Sequence, residues 1–221
     1  MAMKLSTLSD KTTHLILIKL VDLSYHDINF IKSKARTLGF SRQTYIQNQD
    51  ASCYIFENRY HAVVACPGTS NYNLMQILNS MKFWFGFEKG LGMVHSGFLE
   101  HSNKLWPEIY DILSLRRNKH KKIWFTGHSL GAALSSIYAL RMLKDPYLKK
   151  PHALVTFASP RVFGWTTSQI HCQTIDHVRW VNHLDLVCTY PTCVVGYRHF
   201  GDIKYINRWG NVTSHYGFIR R

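Results

Sequence analysis

The chain has 221 residues, of which 46% are hydrophobic and 14% aromatic. That is enough apolar material for one large core, and it excludes intrinsic disorder, collagen-like repeats and a coiled coil. Lys and Arg number 27 against 13 Asp and Glu, a formal net charge of +14 that points to a polyanionic partner, nucleic acid or an anionic membrane surface.

No internal repeat or low-complexity linker interrupts the chain, so residues 1–221 are expected to form a single domain. The stretch Met1 to His14 is polar and has no evident cleavage site. The apolar run from Leu15 to Val21 is broken by Lys19 and is too short for a signal-peptide core. Nothing approaches 18 consecutive apolar residues, so no transmembrane helix is expected. The expectation is a soluble cytoplasmic protein, with signal-independent export left open. Cys53, Cys66, Cys172, Cys188 and Cys193 are odd in number and contain no C-x-x-C pair, which excludes a disulfide framework and a zinc ribbon. They are expected to be buried free thiols.

In chain order, Leu15 to Leu23 predicts a first helix, followed after a break by Asp27 to Thr37. Gln43 to Gln47, Ser52 to Glu57 and Tyr60 to Cys66 predict three strands. A tight turn at Glu57-Asn58-Arg59 joins the last two, because Asn tolerates left-handed geometry. Cys66-Pro67-Gly68-Thr69 breaks the pattern. Within residues 71–92, Leu74, Ile77, Leu78, Met81 and Phe85 share one helical face, with Asn73, Gln76, Asn79 and Ser80 opposite. Leu99 to Leu115 predicts a helix containing Pro107. Lys122 to Thr126 is a short apolar strand, and Ala132 to Leu143 a helix that stops before Pro146. Ala153 to Phe157 and Val178 to Val181 are further strands. Strands alternating with helices predict an α/β architecture, a mostly parallel sheet flanked by helices, with antiparallel additions early in the chain.

One stretch carries chemistry. Lys122 to Ala133 contains Gly127-x-Ser129-x-Gly131 with a strand before it and an Ala-rich helix after it. This is the context of a nucleophile elbow, in which a serine is projected from a sharp strand-to-helix turn. Glycines remove Cβ atoms that would collide at such a turn. The helix N-terminus aims N–H groups at a developing oxyanion. A serine nucleophile needs a base, and the base needs an orienting carboxylate; in this topology the order is Ser, acid, His. Downstream of Ser129 the acids are Asp145, Asp176, Asp185 and Asp202. Asp185 follows the strand-like Val178 to Val181 and is the favoured acid, with Asp202 as competitor. After Asp185 only His199 and His215 remain, and His215 near the chain end suits a loop folding back over the elbow.

Together these residues resemble the class 3 (fungal-type) lipase family of α/β-hydrolases. The resemblance rests on Val64-Ala65-Cys66-Pro67-Gly68-Thr69, Val94-His95-Ser96-Gly97-Phe98, Thr126 to Ala133, Thr156-Phe157-Ala158-Ser159-Pro160-Arg161-Val162, Asn182 to Val187, and Ser214-His215-Tyr216. It implies the α/β-hydrolase fold and a Ser129–Asp185–His215 triad. It also implies that the tract Tyr197 to Tyr205 is a strand, which makes His199 structural. The oxyanion donors it implies are the backbone N–H groups of Thr69 and Leu130, and 71–92 becomes a candidate lid. Pro67 departs from the family pattern, which has Arg there.

The implied activity is hydrolysis of carboxylic esters of lipids (a triacylglycerol or monoacylglycerol lipase, or a phospholipase A1-type enzyme) through an acyl-enzyme, with no metal or cofactor. The alternatives are a water-soluble carboxylesterase of feruloyl type and a basic binding module with a vestigial triad. No nucleic-acid motif is present. The charge, with basic runs at Arg116 to Lys122 and Lys144 to Lys150, therefore points to peripheral association with an anionic membrane surface.

Overall fold

A computed structural model describes residues 3–69, 82, 84–171 and 173–214. The first helices are α1 (Asp10–Leu23) and α2 (Ile28–Thr37). They are capped by Ser9, which accepts from the Thr12 N–H, and by Asp27, which accepts from those of Asn29 and Phe30. Each cap satisfies helix-start donors that have no carbonyl of their own. The Ser9 cap starts α1 five residues before the apolar run.

Three antiparallel strands follow, β1 (Arg42–Asn48), β2 (Ala51–Glu57) and β3 (His61–Cys66). The expected turn at Asn58 forms for a different reason than left-handed backbone. The Asn58 Oδ1 accepts from the Tyr60 and His61 N–H groups at 2.8 Å each, an Asx turn, while the left-handed φ falls on Gln49 in the preceding connection.

The chain then passes through β4 (Phe85–Glu88), β5 (Gly92–His95), α3 (Ser96–Ser114), β6 (Lys122–His128), α4 (Leu130–Lys144) and β7 (Ala153–Phe157). It finishes with β8 (Phe163–Gly164), α5 (Trp165–His171), β9 (His177–Asn182), β10 (Tyr197–Arg198), β11 (Asp202–Ile206) and β12 (Val212–Thr213). The main sheet runs β1-β2-β3-β6-β7-β9-β11-β12, with β3, β6, β7, β9 and β11 mutually parallel. The antiparallel strands sit at its edges, as the sequence predicts for the early ones.

Helices cover both faces. On β2 and β3, Cys53, Ile55, Val64 and Cys66 point into a core shared with α3 and α4, while Tyr54, Phe56, Val63 and Ala65 point into one shared with α1 and α2. Both faces being apolar is why these strands are continuous hydrophobic runs instead of alternating ones.

Two expectations are corrected. Tyr197 to Tyr205 is not one strand. Gly201, at φ 83°, breaks it into β10 and β11, and a Cβ there would sit 2.6 Å from the His177 ring, so only glycine fits the bend. β10 instead joins a second sheet, β10-β8-β5-β4, which the sequence reading did not contain. Its β4 takes up part of the candidate lid: Phe85, placed on a helical face with Leu74 and Met81, lies in a strand paired with His95. The remaining members of that face, Leu74, Ile77, Leu78 and Met81, lie outside the described residues.

Candidate active site

Strand β6 hands over to α4 within a single residue. Ser129 has φ 54° and ψ −123°, a left-handed conformation that costs a non-glycine residue of order 1–3 kcal/mol and persists only where the surroundings enforce it. Three features enforce it. The Ser129 N–H donates to the Phe157 carbonyl at the end of β7, 3.0 Å away. A Cβ on Gly127 would stand 2.7 Å from the Ala132 nitrogen, and one on Gly131 would stand 2.6 Å from the Cys66 carbonyl carbon. The elbow is thus pressed against α4 on one side and the end of β3 on the other. Ser129 is 1% exposed, and its Oγ has no hydrogen-bond partner among the described residues.

The strand register brings the candidate oxyanion loop to the same place. Cys66 pairs with Gly127, so Pro67, Gly68 and Thr69 run alongside His128, Ser129 and Leu130. Gly68 is squeezed into this gap: a Cβ there would meet the His128 carbonyl at 2.8 Å and the Ser129 Cβ at 3.0 Å. Thr69 is half-buried, and Leu130 is the first residue of α4, where helix geometry leaves the N–H without an intrahelical acceptor.

The two acids separate cleanly. Asp202 begins β11 opposite Val178, near the start of β9, whereas Asp185 follows the end of β9 at Asn182. Because β6 and β9 run parallel within one sheet, Asp185 shares the edge that carries Ser129, and Asp202 lies at the other edge. The Asp185 carboxylate accepts from the Val187 N–H at 3.0 Å, with the buried Cys188 thiol close by. Burial, then the Asp185 charge, push that thiol up to about 12, so it stays protonated. Asp185 also acts electrostatically on His128, the neighbour of Ser129. The loop is clamped from two directions. Arg161 donates to the Thr189 and Pro191 carbonyls, the latter at 2.9 Å, and His199 donates from Nε2 to the Cys188 carbonyl at 2.8 Å. Burial, assisted by Arg179, holds His199 well below its ordinary range, so it is a neutral buttress, as expected for a structural histidine.

His215 lies outside the described residues. The last described strand, β12, starts at the Ser129 edge, where Val212 pairs with Ile206, and runs back antiparallel to β11. Ser129, Ala158 and His183 all have positive φ just beyond or at the ends of three parallel strands. Strain of this kind concentrates where open α/β sheets bind ligands, beyond the carboxyl ends of their strands.

Sequence reasoning missed Tyr25, between α1 and α2. Its Oη accepts from the Gly68 N–H at 2.5 Å and lies 3.0 Å from His128 Nδ1. No local signal marks it, since its partners are 43 and 103 residues away. Among the described residues no cluster of His, Cys, Asp or Glu could hold a metal ion.

The class 3 lipase family model matches residues 63–195, which span β3, the elbow and the Asp185 loop. The chain belongs to the class 3 lipase family. A Caenorhabditis elegans lipase is 33% identical over 107 residues, 48% of this chain and 30% of its own length. A secreted mono- and diacylglycerol lipase of Malassezia globosa is 29% identical over 71% of this chain and 57% of its own length. The chain therefore spans between 30% and 57% of the length of these relatives. The solved structure of Rhizomucor miehei triacylglyceride lipase superposes with a TM-score of 0.73 at 17% identity, covering 93% of this chain and 84% of that one. The fold is that of the α/β-hydrolases.

Proposed function

We propose that this family member hydrolyses carboxylic ester bonds of lipids, acylglycerols first among them. The observation that carries the reading is the elbow: a nearly inaccessible serine held at φ 54° between Gly127 and Gly131, with Asp185 on the same sheet edge. A glycine would adopt this conformation without strain, so the serine there points to a chemical use. The Malassezia relative acts on mono- and diacylglycerols by its name, which supports acylglycerols as the substrate class.

In this mechanism Ser129 Oγ attacks the ester carbonyl while His215 takes its proton. Asp185, held by the Val187 N–H, orients His215 and stabilises the imidazolium. The backbone N–H groups of Thr69 and Leu130 receive the tetrahedral oxyanion at the positive end of α4. His215 returns the proton to the leaving alcohol, and water then resolves the acyl-enzyme with His215 again as base. No step calls for a metal or cofactor.

Leu184 and Leu186 flank Asp185 and are 68% and 64% exposed, which supports an apolar rim facing acyl chains. Peripheral association with an anionic lipid surface remains part of the reading on the strength of the +14 charge. Among the described residues no helix is long and apolar enough to cross a membrane. The test is hydrolysis of tributyrin, monoolein, phospholipid vesicles and short p-nitrophenyl esters by the native protein and by Ser129→Ala. Turnover by the native protein alone is expected, greatest on acylglycerols. Turnover confined to soluble esters would replace the lipid reading with a carboxylesterase, and equal turnover by Ser129→Ala would remove Ser129 as nucleophile.

A further inference from the structure

We propose that Tyr25 is a positioning residue that fixes the candidate oxyanion loop; the inference rests on the proposed hydrolase reading. Pro67 brings neither a guanidinium nor a backbone N–H to the loop it opens. The loop nevertheless has to place the Thr69 N–H within hydrogen-bond reach of a charge that exists only in the transition state. Tyr25 reaches it from outside the sheet. Its Oη takes the Gly68 N–H at 2.5 Å, and Gly68 has no Cβ in the one place where a Cβ would stand 2.8 Å from that oxygen.

The same hydroxyl is tied to the other side of the site. It lies 3.0 Å from Nδ1 of His128, whose backbone carbonyl abuts Gly68 and whose neighbour in the chain is Ser129. Burial holds His128 below its ordinary range against the opposing pull of Asp185, and in the neutral tautomer protonated at Nε2 its Nδ1 accepts the Tyr25 proton. Burial likewise pushes the Tyr25 phenol up, which keeps that proton in place at every working pH. The hydroxyl therefore gives its hydrogen to His128 and receives one from Gly68, and giving one bond strengthens it as acceptor of the other. One oxygen sets the distance between the oxyanion loop and the elbow. It touches no substrate atom in this role, so its effect falls on the transition state and not on substrate binding.

The experiment compares the native protein with Tyr25→Phe, which keeps the ring and its edge contact with His128 and removes the oxygen. With p-nitrophenyl butyrate, kcat is expected to fall about 10- to 100-fold, the scale of a small misplacement of catalytic groups, with KM within twofold. The inhibition constant of a boronic acid, which forms a tetrahedral serine adduct, should rise by a similar factor. A fall in kcat that tracks a lowered Tm, a change in KM alone, or native kcat would each overturn the proposal. Amide hydrogen exchange judges the tether without reference to activity: the Gly68 and Thr69 amides should exchange at least tenfold faster in Tyr25→Phe, and unchanged exchange overturns the tether. If neither the native protein nor any variant hydrolyses esters, the hydrolase reading fails while the exchange result still decides whether Tyr25 holds the loop.

Discussion

The two edges of the parallel sheet differ in chemistry. At the edge where β6, β7 and β9 end, backbone strain collects at Ser129, Ala158 and His183, a carboxylate is held by a backbone N–H, and Leu184 and Leu186 are exposed. At the edge where β6 begins lies the basic run Arg116 to Lys122, and part of it is spent inside the protein. Lys121 and Arg117 both pair with the 1% exposed Glu57, at 3.0 and 3.1 Å. Burial pushes the Glu57 carboxyl up, and the two cations outweigh it and hold it below its ordinary range. Strand β6 is seven residues long, so the two edges stand about 20 Å apart. The second basic run, Lys144 to Lys150, begins at the far end of α4 from Ser129 and is removed by about as much. This teaches that charge and chemistry are separate assets here. With a Debye length of about 8–10 Å, basic groups 20 Å from the rim act little on a lipid surface that the rim itself touches.

The largest effects should fall on the strained edge. Asp185→Asn should lower kcat by about 10⁴, the scale of losing the group that orients a triad histidine, while Asp202→Asn leaves it within twofold. Steady-state kinetics on one ester decide between them, and equal losses would erase the distinction between the edges.

At the other edge, Glu57→Ala leaves Lys121 and Arg117 without their shared partner and should cost about 3 kcal/mol of stability by urea denaturation, with kcat per folded molecule unchanged. A stability change without a catalytic one is what separates the edges. A parallel loss of kcat would join them.

A smaller effect concerns pH. Burial lowers His61 and His95 to about 4, whereas their unfolded counterparts titrate near 6.5. Between these values the unfolded chain binds more protons, so stability is fully present above about 6.5 and is lost as pH falls toward 4. Tm should drop through that window, by about 2–4 °C for each kcal/mol lost, and a flat Tm profile would contradict the buried neutral state of both rings.

The smallest effect is on lipid binding. Vesicle association should increase with anionic lipid and weaken with salt. Charge reversal at Lys119 and Lys150 should reduce total binding more than it reduces the turnover of bound enzyme. Equal reductions would bring the basic runs into the productive contact.

The parts of this site that are contiguous in the chain were legible in it. Gly127 to Gly131 carries its own context, because the glycines, the strand and the helix that force the strain lie within a few residues. The acid was legible only as a choice, and register places the two candidates at opposite ends of the strands: Asp202 opposite Val178, Asp185 beyond Asn182. Tyr25 was illegible because a tyrosine between two helices has no periodicity or motif, and its meaning comes from packing against a loop 43 residues away. The second sheet was illegible because β8 and β10 are two residues each, too short for alternation to register. Phe85 fits a helical face as well as a strand, and pairing with His95, which no pattern in the chain announces, decides it.

The most direct test of the account is covalent labelling with an alkyl phosphonate ester that mimics a lipid acyl chain, followed by intact-mass and peptide analysis. One adduct on Ser129 is expected, absent from Ser129→Ala and strongly slowed in His215→Ala and Asp185→Asn. Labelling at another residue, or a Ser129 that reacts as fast in the Asp185→Asn and His215→Ala proteins as in the native one, would contradict a Ser129–Asp185–His215 triad.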